Sequence, residues 1–353
     1  MTNDKKYMHR ALQLARKGLG STSPNPLVGS VIVHNNTIIG EGYHHKAGEA
    51  HAEVNAINSV ENKELLRQST IYVSLEPCSH YGKTPPCADL IIEHCIPRVV
   101  IACTDPNPQV SGRGIERLRN SGIKVEEGVC KIEAEYLNRR FFTTIRRGRP
   151  YIILKWAETP RGFMDEIRDS ESYSPKWLTN RWAKMLVHKQ RTEEDAIMAG
   201  TNTIRLDNPA LTAREWNGIN PIRVLVDRHN IFSTDIKVFD ENGAKVICFC
   251  SDSRDLPKHI IYESIAECDN EEELMMQTLI GHGINSIIIE GGSKYLLSFI
   301  QKGLWDEAFR YIGETEFKNG VKAPFLTNER LMHVNNIDKT RLYHYCNYDN
   351  PFI

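Results

Sequence analysis

The sequence contains no run of about 20 apolar residues, the length a membrane-spanning helix requires. Its first stretch, MTNDKKYMHRALQLARKG, is polar and then amphipathic, without the apolar core of a secretion signal. A cytoplasmic protein with no membrane partner is therefore expected. Net charge is nearly absent as well: 44 Lys and Arg stand against 45 Asp and Glu. No overall basic field draws nucleic acid, and only a local groove would remain for it. The nine cysteines are an odd number scattered over 353 residues, unlike the dense disulfide framework of a small secreted domain. A reduced chain is expected, with Cys95, Cys103, Cys130, Cys248, Cys250, Cys268 and Cys346 as packing residues. Short signatures are missing too. Cys78 and Cys87 are not the C-x-x-C of a small zinc ribbon, and the second half has neither G-x-G-x-x-G nor G-x-x-x-x-G-K-[ST]. Fixed-period repeats and low-complexity segments are also absent.

What is present reads as an ordinary globular composition, 41% hydrophobic and 25% charged, at a length that suits two domains. Residues 4–17 carry Tyr7, Met8, Ala11, Leu12 and Ala15 at helical spacing, ended by Gly18 and Gly20. VGSVIVHNNTIIGEGYHH reads as two strands about an Asn35-Asn36 turn. Then follow helix HAEVNAINSV, strand TIYVSLEP, helix CADLIIEHC entered through Pro85 and Pro86, strand RVVIACT, helix 113–120, strand 123–127 and a long helix 131–146. The basic RRGRP at 146–150 looks like a boundary, giving domains 1–147 and 148–353. Beyond it come strand YIILKWA, helix 179–191, strands DAIMAG, PIRVLVD and KVICFC, helix 271–281, strand SIIIEGG, helix 294–302 and a last strand RLYHYC. Strands alternating with helices predict two α/β domains in tandem.

His51 and Glu53 open a predicted helix, Cys87 opens another, and Cys78 follows a strand. One imidazole and two thiolates suit a catalytic zinc with a fourth position for water. Two thiolates cancel the ion's charge, yet the metal still acidifies its water. Helix N-termini favour thiolates. In a first helical turn, Glu53 reaches the same space as His51 and can pass a proton from water to a leaving amine. His-x-Glu followed by Pro-Cys and a further Cys is the pattern of zinc-dependent nucleobase deaminases, although those end in C-x-x-C. A structural zinc site is the plain alternative; it needs no Glu53 and usually has four protein ligands.

The N-terminal half resembles the deaminase domain of the bifunctional riboflavin-biosynthesis deaminase/reductase family. SPNPLVGSVIV, GEGYHHKAGEAHAE and YVSLEPCSHYGKTPPCADLII carry the likeness, and the insert SHYGKTPP discriminates it from cytidine and tRNA-adenosine deaminases. The resemblance implies a cytidine-deaminase-like three-layer α/β/α domain with Glu53 catalytic, His51, Cys78 and Cys87 on zinc, and Asn25, His44, His80 and Lys83 at the substrate. That substrate is a diaminopyrimidinone bearing a ribosylamino 5′-phosphate, a small molecule.

In the second half, SIIIEGGSKYLLSFI alone is a strand, a Gly-Gly turn and a helix start, which is usually just a tight turn but can cradle phosphate. The order KWAETPRGFM, PKWLTNRWAKMLVHKQRTEEDAIMAGTNTIRLDNPALTAR, PIRVLVD and IIIEGGSKYLLSFI resembles the same family's reductase domain. It implies a dihydrofolate-reductase-like α/β fold using NADPH. Substrate positions are then Arg191, Leu211, Arg214 and Glu290. Cofactor positions are Ala157, Trp177, Thr203, Asp207, Gly292, Ser293, Lys294, Tyr295, Leu296, Leu297 and Ser298. Arginine suits a sugar phosphate because its fork grips two oxygens. The family's K-x-A-x-S-L-D-G reads KWAETPRG here, with Thr159 for serine and Arg161 for aspartate, and its Ser-x-Trp reads Pro175-Lys176-Trp177. These departures leave a deaminase with a degenerate second domain as one alternative; a nucleic-acid editing deaminase is another. The family also implies a homo-oligomer.

Overall fold

A computed structural model describes residues 3–81, 85–108, 110–167, 177–241, 244–251, 257–265 and 268–352. Contacts divide the chain into two units at Gly148/Arg149, with Phe352 belonging to the first.

The first unit runs α1 (Asn3–Ala15), β1 (Gly29–His34), β2 (Thr37–Tyr43), α2 (Ala52–Ser59), β3 (Thr70–Val73), α3 (Cys87–Glu93), β4 (Arg98–Ile101), α4 (Arg113–Asn120), β5 (Lys124–Glu127), α5 (Lys131–Leu137) and α6 (Arg139–Arg147). Its strands lie in the order β2-β1-β3-β4-β5. β1 is antiparallel to both neighbours, and β3, β4 and β5 are parallel. Asn35 and Asn36 both hold positive φ, 47° and 62°, as a two-residue hairpin turn demands. Successive β1 residues Val31 and Ile32 are both fully buried, so helices cover both faces of the sheet. Glycine sets how closely they approach. A Cβ on Gly42 would lie 2.3 Å from the Ala56 nitrogen, and one on Gly29 2.0 Å from the Ala11 oxygen. The glycines of GEGY thus let α2 rest directly on β2, which places the helix start that carries His51.

The expected long helix over 131–146 is instead two, α5 and α6, divided at Asn138. The buried Asn138 amide accepts from Leu27 N at 2.7 Å and donates to Leu27 O at 2.9 Å. This pairing with a distant loop outweighs straight continuation and leaves no mark in the helical periodicity.

The second unit continues with β6 (Tyr151–Glu158), β7 (Phe163–Asp165), α7 (Arg181–Glu193), β8 (Ala196–Ala199), α8 (Thr201–Asp207), β9 (Ile222–Val226), β10 (Val246–Cys250), β11 (Ile260–Ser264), α9 (Glu271–Gly281), β12 (Ser286–Glu290), α10 (Ser293–Gln301), β13 (Glu307–Ile312), β14 (Val321–Lys322), β15 (Glu329–Ile337) and β16 (Thr340–Asn347). Among the described residues one sheet runs β11-β10-β9-β8-β12-β6-β13-β16-β15, and β7 pairs with β14. Strands β11 to β13 in that order are parallel, and β16 and β15 close the edge antiparallel. Alternate residues of β12 feed two cores, Ile287 and Ile289 on one face and Ile288 on the other. Strands β11, β13 and β15 and helix α8 were not expected from the sequence. In β13 the apolar signal is broken by Glu307, whose buried carboxylate accepts from Tyr151 at 2.7 Å. Arg149, from the basic boundary segment, donates to buried Asp306 at 2.6 and 2.9 Å. Cys95 and Cys268 are exposed and so are not packing residues, whereas Cys103, Cys130, Cys248, Cys250 and Cys346 are buried.

Candidate active sites

In the first unit His51 is the residue that caps α2 (φ −71°, ψ 165°) and Cys87 is the first residue of α3. Cys78 sits against the start of α3, its sulfur accepting from Cys87 N at 3.3 Å. His51 Nδ1 lies 3.3 Å from Cys87 Sγ and 3.6 Å from Cys78 Sγ. With metal distances of roughly 2.0 Å to nitrogen and 2.3 Å to sulfur, ligand atoms about one tetrahedral ion lie roughly 3.5 Å apart. The donor set therefore fits zinc in both chemistry and spacing. A hydrogen bond from the Cys87 thiol draws the Cys78 thiol below its ordinary range despite burial, with His51 also lowering it. The same bond and burial push Cys87 up. A divalent ion favours both as thiolates.

Glu53 is buried and its carboxyl is pushed up to about 7, chiefly by burial, with the Cys78 charge adding to it. A carboxyl that exchanges protons near neutrality suits a proton shuttle. His44 Nδ1 is 3.1 Å from Ala50 O, and its Nε2 is 3.1 Å from Asn25 Nδ2. A carbonyl only accepts, so Nδ1 bears the proton and Nε2 accepts from the Asn25 amide. Burial favours the neutral form of His44. Its ring meets His51 edge-on at 5.5 Å. Asn25 and His44 are thus joined to the metal set. His80 is exposed, and Lys83 lies outside the described residues.

Two carboxylates here were missed by the sequence reading. Burial raises Asp105, which also feels Glu76, His80 and Cys78. Glu76, two residues before Cys78, is buried and accepts from Asp105 N at 3.2 Å, Gly112 N at 3.0 Å, Gly114 N at 3.0 Å and Ile115 N at 3.4 Å. It ties the Cys78 turn to the start of α4. A Cβ on Gly114 would lie 2.1 Å from Pro77 O, so only glycine permits that approach. Glu76→Gln turns an amide donor toward backbone donors. It should destabilise the first unit by roughly 2–3 kcal/mol and speed zinc loss to a competing chelator. Unchanged zinc release would show that the turn holds without Glu76.

The second unit contains a cavity of about 1100 Å³. It gathers Ala157, Trp177, Thr203, Asp207, Arg191, Leu211, Arg214, Glu290, Gly292, Ser293, Lys294, Tyr295 and Ser298. Leu296 does not line it but packs in the core, fully buried, and Leu297 does not line it either. Side chains on α10 alternate between cavity and core, so a contiguous stretch cannot all face one ligand. Gly291 and Gly292 hold φ of 74° and 75° before α10, and a Cβ on Gly291 would meet the Thr203 side chain at 2.9 Å. This tight glycine turn into a helix fits the phosphates of a dinucleotide.

Arg191 spends its fork on Glu290 (Nε to Oε1 3.0 Å, Nη2 to Oε2 2.8 Å) and donates to Thr212 O at 2.8 Å. Lys155 Nζ is 3.6 Å from the same carboxylate. Burial pushes Glu290 up, but Arg191 and Lys155 together hold it down at about 2. Burial lowers Lys155. Lys155 was not a sequence candidate, and the two-oxygen grip expected of Arg191 falls on Glu290. Leu211 keeps a left-handed backbone (φ 51°), a strained choice for leucine that fits a role played by its main chain. Thr159 is buried and closes the β6–β7 turn by accepting from Phe163 N at 3.2 Å. Arg161 is exposed at the tip of that turn and does not line the cavity. Pro175 and Lys176 lie outside the described residues.

Residues 1–103 match the family model "Cytidine and deoxycytidylate deaminase zinc-binding region", and residues 150–315 match "RibD C-terminal domain". The chain is 39% identical over 333 residues to the riboflavin biosynthesis protein RibD of Aquifex aeolicus, covering 90% of this chain and 89% of that protein. To RibD of Escherichia coli it is 38% identical over 326 residues, covering 88% and 87%. It is similar to the crystal structure of a diaminohydroxyphosphoribosylaminopyrimidine deaminase/5-amino-6-(5-phosphoribosylamino)uracil reductase from Thermotoga maritima. The TM-score is 0.89 at 37% identity, covering 98% of this chain and 99% of that one. A structure of Acinetobacter baumannii RibD gives 0.88 at 34% identity, covering 98% of each.

Proposed function

The chain belongs to the RibD family of bifunctional riboflavin-biosynthesis enzymes, deaminase and then reductase, and we propose how its residues divide the two reactions. The observation that carries the deaminase assignment is the His51, Cys78 and Cys87 triangle with the buried carboxyl of Glu53 beside it. His51, Cys78 and Cys87 hold one zinc ion per chain. When bound, zinc supplies the Lewis acidity that makes water a nucleophile near neutral pH. Glu53 would take a proton from the attacking water and hand it to the departing amine of 2,5-diamino-6-(5-phosphoribosylamino)pyrimidin-4(3H)-one. Asn25 and His44 position the pyrimidine, and His80 and Lys83 bind its ring carbonyl and phosphate.

In the second cavity Gly292, Ser293 and the first turn of α10, with Ala157, Trp177, Thr203 and Asp207, hold NADPH. When bound, NADPH would supply a hydride to the open-chain imine or aldehyde of the ribosyl group, with a proton from solvent, giving the ribitylamino product. Arg214 and the Leu211 main chain bind the sugar phosphate. Arg191, fixed by Glu290, lies alongside and keeps one nitrogen toward Thr212 O. The position of Arg161 on an exposed turn removes one of the two grounds for a degenerate reductase.

The protein incubated with the diaminopyrimidinone phosphate should yield the deaminated product without NADPH and the ribitylamino product with it, both followed by mass. Deamination with no NADPH oxidation would restore the deaminase-only alternative. Metal analysis should find one zinc per chain.

Among the described residues no helix is long and apolar enough to cross a membrane; a cytoplasmic location fits a small-molecule biosynthetic enzyme. A homo-oligomer is favoured by β15, a nine-residue edge strand that exposes Leu331 and Val334. Lysine at Leu331 and Val334 together should shift sedimentation toward the monomer; an unchanged profile would place the interface elsewhere.

A further inference from the structure

Resting on the reductase assignment above, we propose that His188 is a further phosphate-recognition residue of the reductase cavity, acting with Arg214 on the sugar phosphate. His188 stands three residues before Arg191 on α7, so the two share one helical face, and both line the cavity. His188 is 2% exposed, yet its Nδ1 has no hydrogen-bond partner among the described residues. A buried polar atom in that state is destabilising, which gives it a use for a ligand oxygen.

The charges around it point to the ligand's sign. Arg191 faces it from α7, Arg214 and Glu215 from the segment after α8, and Glu290 from β12. Both carboxylates already have cations of their own: Glu290 has Arg191 and Lys155, and Glu215 has Lys184. Burial first, then the two arginines, holds the His188 imidazole down at about 4. It is therefore neutral at working pH, in a wall short of negative charge. A phosphate dianion reverses that balance. Its oxygen accepts from the ring N–H, and its charge makes a second ring proton favourable. The imidazole then takes one proton from solvent and becomes a second cationic donor beside the Arg214 guanidinium. A histidine that merely filled space would take up none.

Titration calorimetry with ribose 5-phosphate at pH 6, in buffers of different ionisation enthalpy, reads this directly, with unphosphorylated ribose as control. The phosphate's own titration is common to all proteins, so the difference between wild type and His188→Asn isolates the imidazole. Wild type should take up about one proton more per chain than His188→Asn, and the variant should bind about tenfold more weakly. His188→Gln should behave as His188→Asn does. Equal proton counts and affinities in wild type and variant would overturn the proposal while leaving the phosphate site standing. Arg214→Gln locates the binding event. If wild type prefers ribose 5-phosphate no more than ribose, or if Arg214→Gln changes nothing, the phosphate reading of the cavity itself fails. Should neither His188 variant fold, net proton release by wild type would be enough to reject it.

Discussion

Glu53→Gln should reduce ammonia release by roughly 10²–10⁴-fold, the range for a positioned proton-transfer group, while zinc content stays at the wild-type level. Glutamine has the same shape and fits the same buried space, but it neither accepts nor returns a proton. The native carboxyl is fit for both near neutrality, because burial pushes it up to about 7. The His51, Cys78 and Cys87 donors converge without help from Glu53, so the metal should remain. Oxidation of NADPH with the deaminated substrate should be unchanged, because that reaction uses the second cavity. Deamination within tenfold of wild type, with zinc retained, would overturn the assigned role. Loss of zinc instead would mean that Glu53 also supports the metal set.

Glu290→Gln should damage the reductase unit twice over. The carboxylate lies between Arg191 and Lys155, with side chains exposed by no more than 15%. Removing its charge leaves two buried cations facing each other. Breaking one member out of such a set costs about 3–5 kcal/mol, so the unfolding transition of the second unit should move to clearly lower denaturant. Reductase turnover should fall as well, because Arg191 loses the partner that fixes its direction. Stability and function separate in the double variant Lys155→Met with Glu290→Gln. One cation is then removed with the carboxylate, so part of the stability should return while NADPH oxidation does not. Full stability in the single variant would show that solvent reaches the triad and screens it.

Much of the deaminase site was legible because its chemistry coincides with local structure. His51 and Cys87 mark helix starts, and a helix start is written in neighbouring residues: Pro86 before α3, and the GEG stretch that seats α2. The residues that steady the site were not legible. Glu76 looks like any acidic residue after a strand, and only the fold brings four backbone donors from beyond residue 104 onto it. Asn138 likewise sits in good helical periodicity and bends the chain because Leu27 lies across from it. In the reductase unit, Arg191 and Glu290 were visible as charged residues in a resembling order. Their bond to each other, and Lys155 beside them, were not.

The sequence by itself determined the two-unit α/β plan, the order of most elements, the convergence of His51, Cys78 and Cys87 and the glycine turn before α10. These depend on periodicity, caps and spacing over a few residues, which a linear string preserves. The tertiary structure alone decided which charges pair and which remain for a ligand. It turned Arg191 toward Glu290, left His188 Nδ1 without a hydrogen-bond partner among the described residues, moved Leu296 into the core and put Arg161 on an exposed turn. Those outcomes follow from distances between residues far apart in the chain. Burial then changes the energy of a charge, and no local pattern encodes it.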